Sequence, residues 1–457
     1  MKSALPALVF LLAALLTRLP TLTRSVLDWD ESLYFLMAQQ WRAGHLPYTT
    51  IWDNKPIGIY AIFAAFQFLI PGVAAMRVAS IVCVGLLAAI VFRITEIINA
   101  QRTAAWFAGA ALVLCSLSND GLSANTELFM ASFTALAVLA VLADAPAWVT
   151  GLLLGCAFMV KYVSAAEAPF ILALLLHRRR SLQAALACLA GAALPLAAVV
   201  LLYASTGHLA LWWDCNIAAN LRRAGAPLTH AALLWALHTQ AWRWGPLYLA
   251  ALALAFTSLK RPFTEKFLPL WLLGGLAGAA SAKSFYDHYF LQVLPVLCVC
   301  LGVILARLPR LPFLRAGVAL AALSLPLWAA HIALRDASGP DNVARAGVDI
   351  AAQHPASLFV LDSQPILYAL TALQPPTRYV LPSELTKRFM PSVAGVDAPA
   401  EIARILATKP QFIARRSPAP TDPATINPQI YVLADAALTA DYALWRHYPG
   451  IEVYKLK

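Results

Sequence analysis

The stretch whose reading decides the fold is Lys55–Pro71, KPIGIYAIFAAFQFLIP. Between its two prolines the apolar run 57–70 holds about 14 residues, which at 1.5 Å per residue make about 21 Å of helix. The hydrocarbon of a bilayer is about 30 Å thick. The run is too short to span comfortably, so the expectation is an interfacial or re-entrant helix. The parity of every later segment depends on that choice.

Around it, the 457 residues are 61% hydrophobic and 12% charged, against about 25% charged in an ordinary soluble protein. Apolar blocks recur at 4–23, 75–98, 103–118, 126–143, 147–164, 166–176, 182–204, 238–258, 267–282, 286–306 and 313–334. A crossing helix needs about 20 such residues, so they predict an α-helical polytopic membrane protein with about 11 transmembrane helices, plus interfacial helices in the first outer loop. Ala4–Leu16, after Lys2, lacks a small-x-small cleavage site and reads as an uncleaved first helix. The seven cysteines include no C-x-x-C pair. Six fall in apolar segments and Cys215 in a loop, so neither a disulfide framework nor a zinc site is indicated.

Charge then sets orientation. If 57–70 does not cross and the N-terminus is inside, Arg93, Arg102, Arg178-Arg179-Arg180, Lys260-Arg261, Lys266, Arg307, Arg310 and Arg315 reach the cytoplasmic side, as cytoplasmic loops prefer. If it crosses, nearly all of them move outside. The net charge of +11 is thus read as loop charge, with no nucleic-acid partner. A transmembrane catalytic domain is expected over 1–335, its first outer loop at 24–74. The Pro-rich, polar 336–457 is expected to be a small extracytoplasmic α/β domain. In it SLFVLD, QFIAR and IEVYKL read as strands and EIARILATK as a helix.

This topology gathers Asp28, Asp30, Glu31, Asp53, Lys55, Asn125, Glu127, Lys161, Asp287 and His288 on the outer side. Asp30 and Glu31 open a helix to about Ala43, with Gly44 as its C′ residue. One acid there would be explained by capping. Three acids, with Asp28, beside a membrane-embedded surface are not. Asp30 and Tyr34 share a stripe of that helix. Lys55 reads as a cation for an anion near the headgroups, or as a snorkelling anchor. Glu127, in a first helical turn, reads as a dipole partner or a catalytic acid. Lys161 at a span end is a functional candidate, or pairs with Glu167 through the intervening turn. His288 lies between Asp287 and Tyr289, and with Lys283 and Tyr286 makes a phosphate-facing cluster.

Five pieces occur in order: D-E-x-x-Y from Asp30, K-P-x-G-x-Y from Lys55, N-x-E-L-F from Asn125, Lys161 at a span end, and H-Y-F-L-Q-x-x-P from His288. Over residues 1–335 this order resembles the GT-C fold glycosyltransferases that use polyprenyl-phosphate sugars, the superfamily of the protein O-mannosyltransferases (glycosyltransferase family 39) and the lipid A aminoarabinose transferases. The resemblance implies an inverting transfer of a sugar from undecaprenyl or dolichyl phosphate to a hydroxyl of a lipid, protein or glycan. It implies Asp30 as catalytic acid residue, Glu31 as its neighbour and Glu127 as the second-loop acid. Lys55 corresponds to the lysine near the lipid phosphate and Arg77 to a frequent family arginine. Two positions depart from the pattern: Glu127 replaces an aspartate and Ile57 a second proline.

The chemistry of the residues agrees. A carboxylate such as Asp30 can take the acceptor proton, worth roughly 10²–10⁴-fold. The phosphate leaving group needs cationic donors, for which Lys55, Arg77, Lys161 and His288 are candidates. Asp28, Tyr34 and Tyr286 are candidates for substrate binding. The sequence requires no cofactor. A divalent metal on Asp30, Glu127 and His288 is compatible with the ligand types. A multi-pass protein of a bacterial inner membrane is expected, with the active site and C-terminal domain extracytoplasmic. The alternatives are a transporter or flippase, whose acids should sit near mid-membrane in broken helices, and a polymerase or ligase of lipid-linked glycans.

Overall fold

The computed structural model describes residues 4–99, 101–225, 230–309, 311–422 and 425–457; Lys2 and Arg310 lie outside them. All eleven apolar blocks contain a helix: Leu5–Arg18, Ala74–Asn99, Arg102–Cys115, Thr126–Leu142, Ala147–Val160, Ala168–Arg179, Leu182–Ser205, His230–Thr257, Phe263–Ser281, Leu294–Arg307 and Pro312–Ala337. Among the described residues, four helical stretches are long and apolar enough to cross a membrane: Ala74–Asn99, Leu182–Ser205, Asp287–Arg307 and Phe313–Ala351.

Exposure shows what surrounds them. The most apolar window of Leu182–Ser205 is only 17% buried, and Leu182, Leu186, Leu189 and Leu201 point outward. So large an apolar face is disfavoured in water and fits lipid. Asp287–Arg307 is the reverse, 94% buried at the centre of the bundle.

The Lys55–Pro71 stretch forms Gly58–Leu69, a helix of 12 residues. Ile70, held extended before Pro71, ends it. The helix packs between Trp29–Arg42 and Ala74–Asn99, and Gln67 Nε2 donates to the Phe35 carbonyl at 2.9 Å. Its start abuts the end of Ala147–Val160. A Cβ on Gly58 would lie 2.4 Å from the Met159 carbonyl oxygen, so only glycine fits there.

The loop cations Arg178, Arg307 and Arg315 gather at one end of the bundle. Arg178 pairs with Asp144 at 2.8 Å, Arg307 with Glu265, and Arg315 donates to Gln101 Oε1 at 3.0 Å. The first loop lies at the other end.

There the C-terminal α/β unit is docked. It holds four strands, β1 (Leu358–Val360), β2 (Phe412–Arg416), β3 (Tyr442–Tyr448) and β4 (Ile451–Leu456), in the order β1-β2-β4-β3. β1 and β2 are parallel; β4 runs antiparallel to β2 and β3. The period-two alternation is buried on both faces. Leu358, Phe412, Ala414 and Val453 face the layer of Ala346, Ile350 and Tyr368. Phe359, Ile413 and Tyr442 face Ile402, Ile405 and Ile430. The three expected strands and the helix Ala398–Ala407 are present; β3 and the helix Pro428–Asp441 had no clear sequence signal. Cys215, expected in a loop, is buried in a helical turn, Asp214–Ala218, between the short helices Leu209–Trp213 and Ala219–Ala224.

Candidate active site

The helix Trp29–Arg42 begins with a capping box, in which the Asp28 side chain serves the first turn and Glu31 reaches back to the N-cap backbone. The acids 28, 30 and 31 thereby separate in role. Glu31 is fully buried and pairs through both oxygens with the buried Arg77, with Nη1 to Oε2 at 2.8 Å. Its Oε2 also accepts from the Ala124 backbone N–H at 3.0 Å. Glu31 and Arg77 therefore tie the first-loop helix to Ala74–Asn99 and to the loop before Thr126. Neither lines the cavity beside them. The expected catalytic neighbour and phosphate arginine have each other as partners, because two buried opposite charges neutralise one another best at bidentate range.

Asp30 lies the other way. Its side chain keeps 22% of its exposure and borders a cavity of about 540 Å³. Oδ2 accepts from Tyr34 Oη at 3.2 Å and faces Lys55 Nζ at 3.4 Å. Oδ1 has no protein partner among the described residues. Lys55 also lies 3.7 Å from Asp53 Oδ1 and 5.1 Å from the centre of the Tyr34 ring. Its backbone is pinned by Tyr48 Oη, which donates to the Lys55 carbonyl at 2.6 Å. Tyr60 donates to Asp53 Oδ2 at 2.7 Å. Tyr34 itself is buried under this cluster and positions it.

Burial acts to raise the Asp30 carboxyl, but Lys55, then His288, Lys161 and Arg223, outweigh it and hold it at about 2. Asp28 goes the opposite way. Burial first, then the charge of Asp30, pushes it up to about 6. One acid is thus ionised at neutral pH while its neighbour titrates close to it.

Across the cavity, Glu127 is buried and bound to Lys161, with Thr126 Oγ1 donating to its other oxygen at 3.0 Å. Lys161 therefore meets Glu127, not Glu167, which accepts from Trp271 Nε1 at 2.6 Å. The Lys161 ammonium also covers the Tyr289 ring at 4.2 Å. His288 Nδ1 lies 3.8 Å from Asp120 Oδ2 and 4.0 Å from Asp28 Oδ2, and its ring stacks on Tyr286. Asp28, Asp30, Lys55, Lys161, Tyr286 and His288 line the cavity. Glu31, Tyr34, Arg77 and Glu127 stand behind its wall. Lys283 donates to the Ala224 carbonyl at 2.7 Å and is not among the lining residues.

Among the described residues Asp30, Glu127 and His288 are not grouped as a set of metal ligands. Lys55 and Tyr34 occupy Asp30, Lys161 occupies Glu127, and among the described residues no three His, Cys, Asp or Glu side chains group as ligands.

The cavity also takes residues that the sequence reading did not single out. Arg223, on Ala219–Ala224, donates to Tyr289 Oη at 3.1 Å, and Asn220 stands one turn before it. The signal was present: Arg222-Arg223 puts two cations in a segment that the expected topology places outside, against the charge distribution of the other loops. The C-terminal unit supplies Ser383, Glu384 and Lys387. Nothing local in SELTK foretold that, since its approach to the cavity depends on docking of the whole unit.

No protein-family model matches the sequence, and a sequence search of curated proteins finds no match. Solved structures do match. ArnT from Cupriavidus metallidurans bound to undecaprenyl phosphate superposes with a TM-score of 0.71 at 12% identity, over 98% of this chain and 97% of that one. The archaeal oligosaccharyltransferase AglB from Archaeoglobus fulgidus, in complex with an inhibitory peptide and a dolichol-phosphate, gives 0.55 at 12% identity, over 91% and 69%. A complex of the Archaeoglobus fulgidus oligosaccharyltransferase with Zn and sulfate gives 0.54 at 12% identity, over 98% and 73%. At such identity the likeness establishes the fold alone, and it does so over nearly the whole chain: this protein has the GT-C fold.

Proposed function

We propose that the protein is an inverting glycosyltransferase that moves a sugar from a polyprenyl phosphate to a hydroxyl acceptor on the extracytoplasmic side of the membrane. The single observation that carries this reading is the Asp30–Lys55 pair at the wall of one cavity. It sets an ionised carboxylate and a lysine cation 3.4 Å apart.

The acceptor oxygen attacks the anomeric carbon as the bond from that carbon to the phosphate oxygen breaks. The acceptor proton passes to Asp30, at Oδ1, since Tyr34 and Lys55 both engage Oδ2. Charge building on the leaving phosphate meets Lys55 and Arg223, with Lys161 and Lys387 further along the lining. One displacement inverts the anomeric centre. Glu31 and Arg77 hold the first-loop helix in register, and Glu127 sets Lys161.

The reading takes the eleven apolar helices as crossings, places 1–335 in the membrane and 336–457 outside, and fits a bacterial inner membrane. Undecaprenyl phosphate, the lipid bound by the fold neighbour ArnT, is the donor carrier to try first. The cavity lies at the end of the bundle opposite the basic loops, which supports transfer over transport from a mid-membrane site.

Asp30→Asn is expected to leave a folded, inserted protein that still binds undecaprenyl phosphate and has lost roughly 10²–10⁴-fold in transfer. Full activity in that variant would remove Asp30 as the base.

A further inference from the structure

We infer that Glu384 and Trp52 form a subsite that recognises the hydroxyls of a neutral sugar ring, built across the junction of the first loop and the C-terminal unit. This rests on the glycosyl-transfer reading and adds which residues select the sugar.

Glu384 lies in the four-residue turn Ser383–Thr386 and lines the cavity, with only 1% of its surface exposed. Its Oε2 accepts from the Leu381 backbone N–H at 3.3 Å. Its Oε1 is buried without a hydrogen-bond partner among the described residues. A buried polar atom left unpaired is costly and is rarely kept without cause. Burial first, then the charge of Asp53, holds the Glu384 proton on well above the ordinary range. A neutral carboxyl can both donate and accept, which suits a pair of adjacent hydroxyls.

Trp52 makes an independent second observation. It is 2% exposed, lines the same cavity, and its Nε1 donor also lacks a partner. Its ring lies 6.3 Å from that of Tyr379 of the C-terminal unit. Its backbone N–H donates to the Arg378 carbonyl at 2.9 Å, which fixes the junction. An indole offers an apolar face to the C–H side of a sugar and an N–H to a hydroxyl.

Charge decides which part of the donor goes where. Glu384, which keeps its proton, and the Trp52 indole offer a phosphate no cation, whereas Lys55 and Arg223 do. The phosphate belongs with Lys55 and Arg223, and the uncharged ring with Glu384 and Trp52.

The test compares binding of undecaprenyl phosphate with binding of its glucosyl, mannosyl, galactosyl and arabinosyl derivatives to the detergent-purified full chain. The wild type is expected to bind bare undecaprenyl phosphate, and at least one derivative roughly tenfold tighter. Glu384→Ala and Trp52→Phe should bring that preference to within about twofold while leaving the affinity for the bare lipid unchanged. Glu384→Gln, which keeps a donor and an acceptor, should retain most of it. Unchanged bare-lipid binding also certifies that each variant is folded, and Trp52→Phe stands alone if Glu384→Ala does not fold. The inference is overturned if the preference survives in Glu384→Ala or Trp52→Phe, or if the wild type binds the bare lipid but prefers none of the sugars. Failure of the wild type to bind undecaprenyl phosphate at all would instead sink the donor reading beneath it.

Discussion

Asp28 and Asp30 are two residues apart and have opposite electrostatic fates. Asp30 sits 3.4 Å from Lys55 and is held down; Asp28 meets mainly burial and the charges of Asp30, Glu31 and Asp120, with only His288 opposing, and is pushed up to about 6. Their contributions to stability therefore carry opposite signs. Below about pH 4 Asp28 is protonated whether folded or not, and it costs nothing. Between about pH 4 and 6 folding disfavours its ionisation, and above that the penalty is complete. Asp28→Asn, which preserves the N-cap oxygen, should stabilise the protein in detergent at pH 7.5 by an amount on the order of 1–3 kcal/mol, seen as a higher unfolding midpoint. The gain should vanish near pH 4. Asp30→Asn should lower the midpoint at pH 7.5. That loss should shrink as the pH falls through the depressed range of Asp30 toward about 2. Both are read from thermal unfolding as a function of pH; equal signs for the two variants would contradict the charge assignments.

Elements place these residues, and the chief device is the buried Glu31–Arg77 pair. Arg77→Met strands the Glu31 charge and should cost about 3–5 kcal/mol. Arg77→Lys should not restore it, because an ammonium cannot pair with both oxygens as a guanidinium does. A second device is close backbone approach between Ala147–Val160 and Leu182–Ser205. A Cβ on Gly151 would lie 1.8 Å from the Cys188 carbonyl oxygen, and one on Gly155 lies 2.4 Å from that of Ala192. Gly151 and Gly155 make the small-x-x-x-small spacing that lets membrane helices touch. Gly151→Leu should destabilise the protein by about 1–3 kcal/mol or more through forced separation, measurable as a lower midpoint with Gly317→Leu, at an exposed helical glycine whose Cβ would meet nothing within 4 Å, as the control. Periodicity made these helices legible in the sequence, as did the short run 57–70. Pairing was not legible. Lys161 was weighed against Glu167 because the two are close in sequence, yet it meets Glu127, 34 positions away. Asp30 was found because an acid triplet at a membrane edge is hard to explain by capping. Glu31 could not be told from it, since the two are adjacent and only the rotation of about 100° between them decides which acid faces the cavity and which faces Arg77.

At the scale of the molecule, the site exists only where four separate regions meet. The first loop gives Asp30 and Lys55, the bundle gives Lys161 and His288, and the segment 209–224 with the C-terminal unit closes the rim. The α/β unit is stapled on by Trp52 N–H to the Arg378 carbonyl, Arg222 Nε to the Val393 carbonyl at 2.9 Å, and Ser25 to Asp341. These contacts span hundreds of residues in sequence, which is why Glu384 and Lys387 were invisible before the fold was seen. If the topology holds, Val432→Cys on the C-terminal unit and Arg180→Cys at the basic end, each in a cysteine-free background, should react with a membrane-impermeant maleimide from opposite sides of the bilayer.

The most direct measurement of the central claim is an experimental structure of the protein with undecaprenyl phosphate. The phosphate should lie within hydrogen-bonding reach of Lys55 and Arg223 beside Asp30, its chain leaving between the bundle helices. A phosphate bound elsewhere, with the Asp30 cavity empty, would contradict the account.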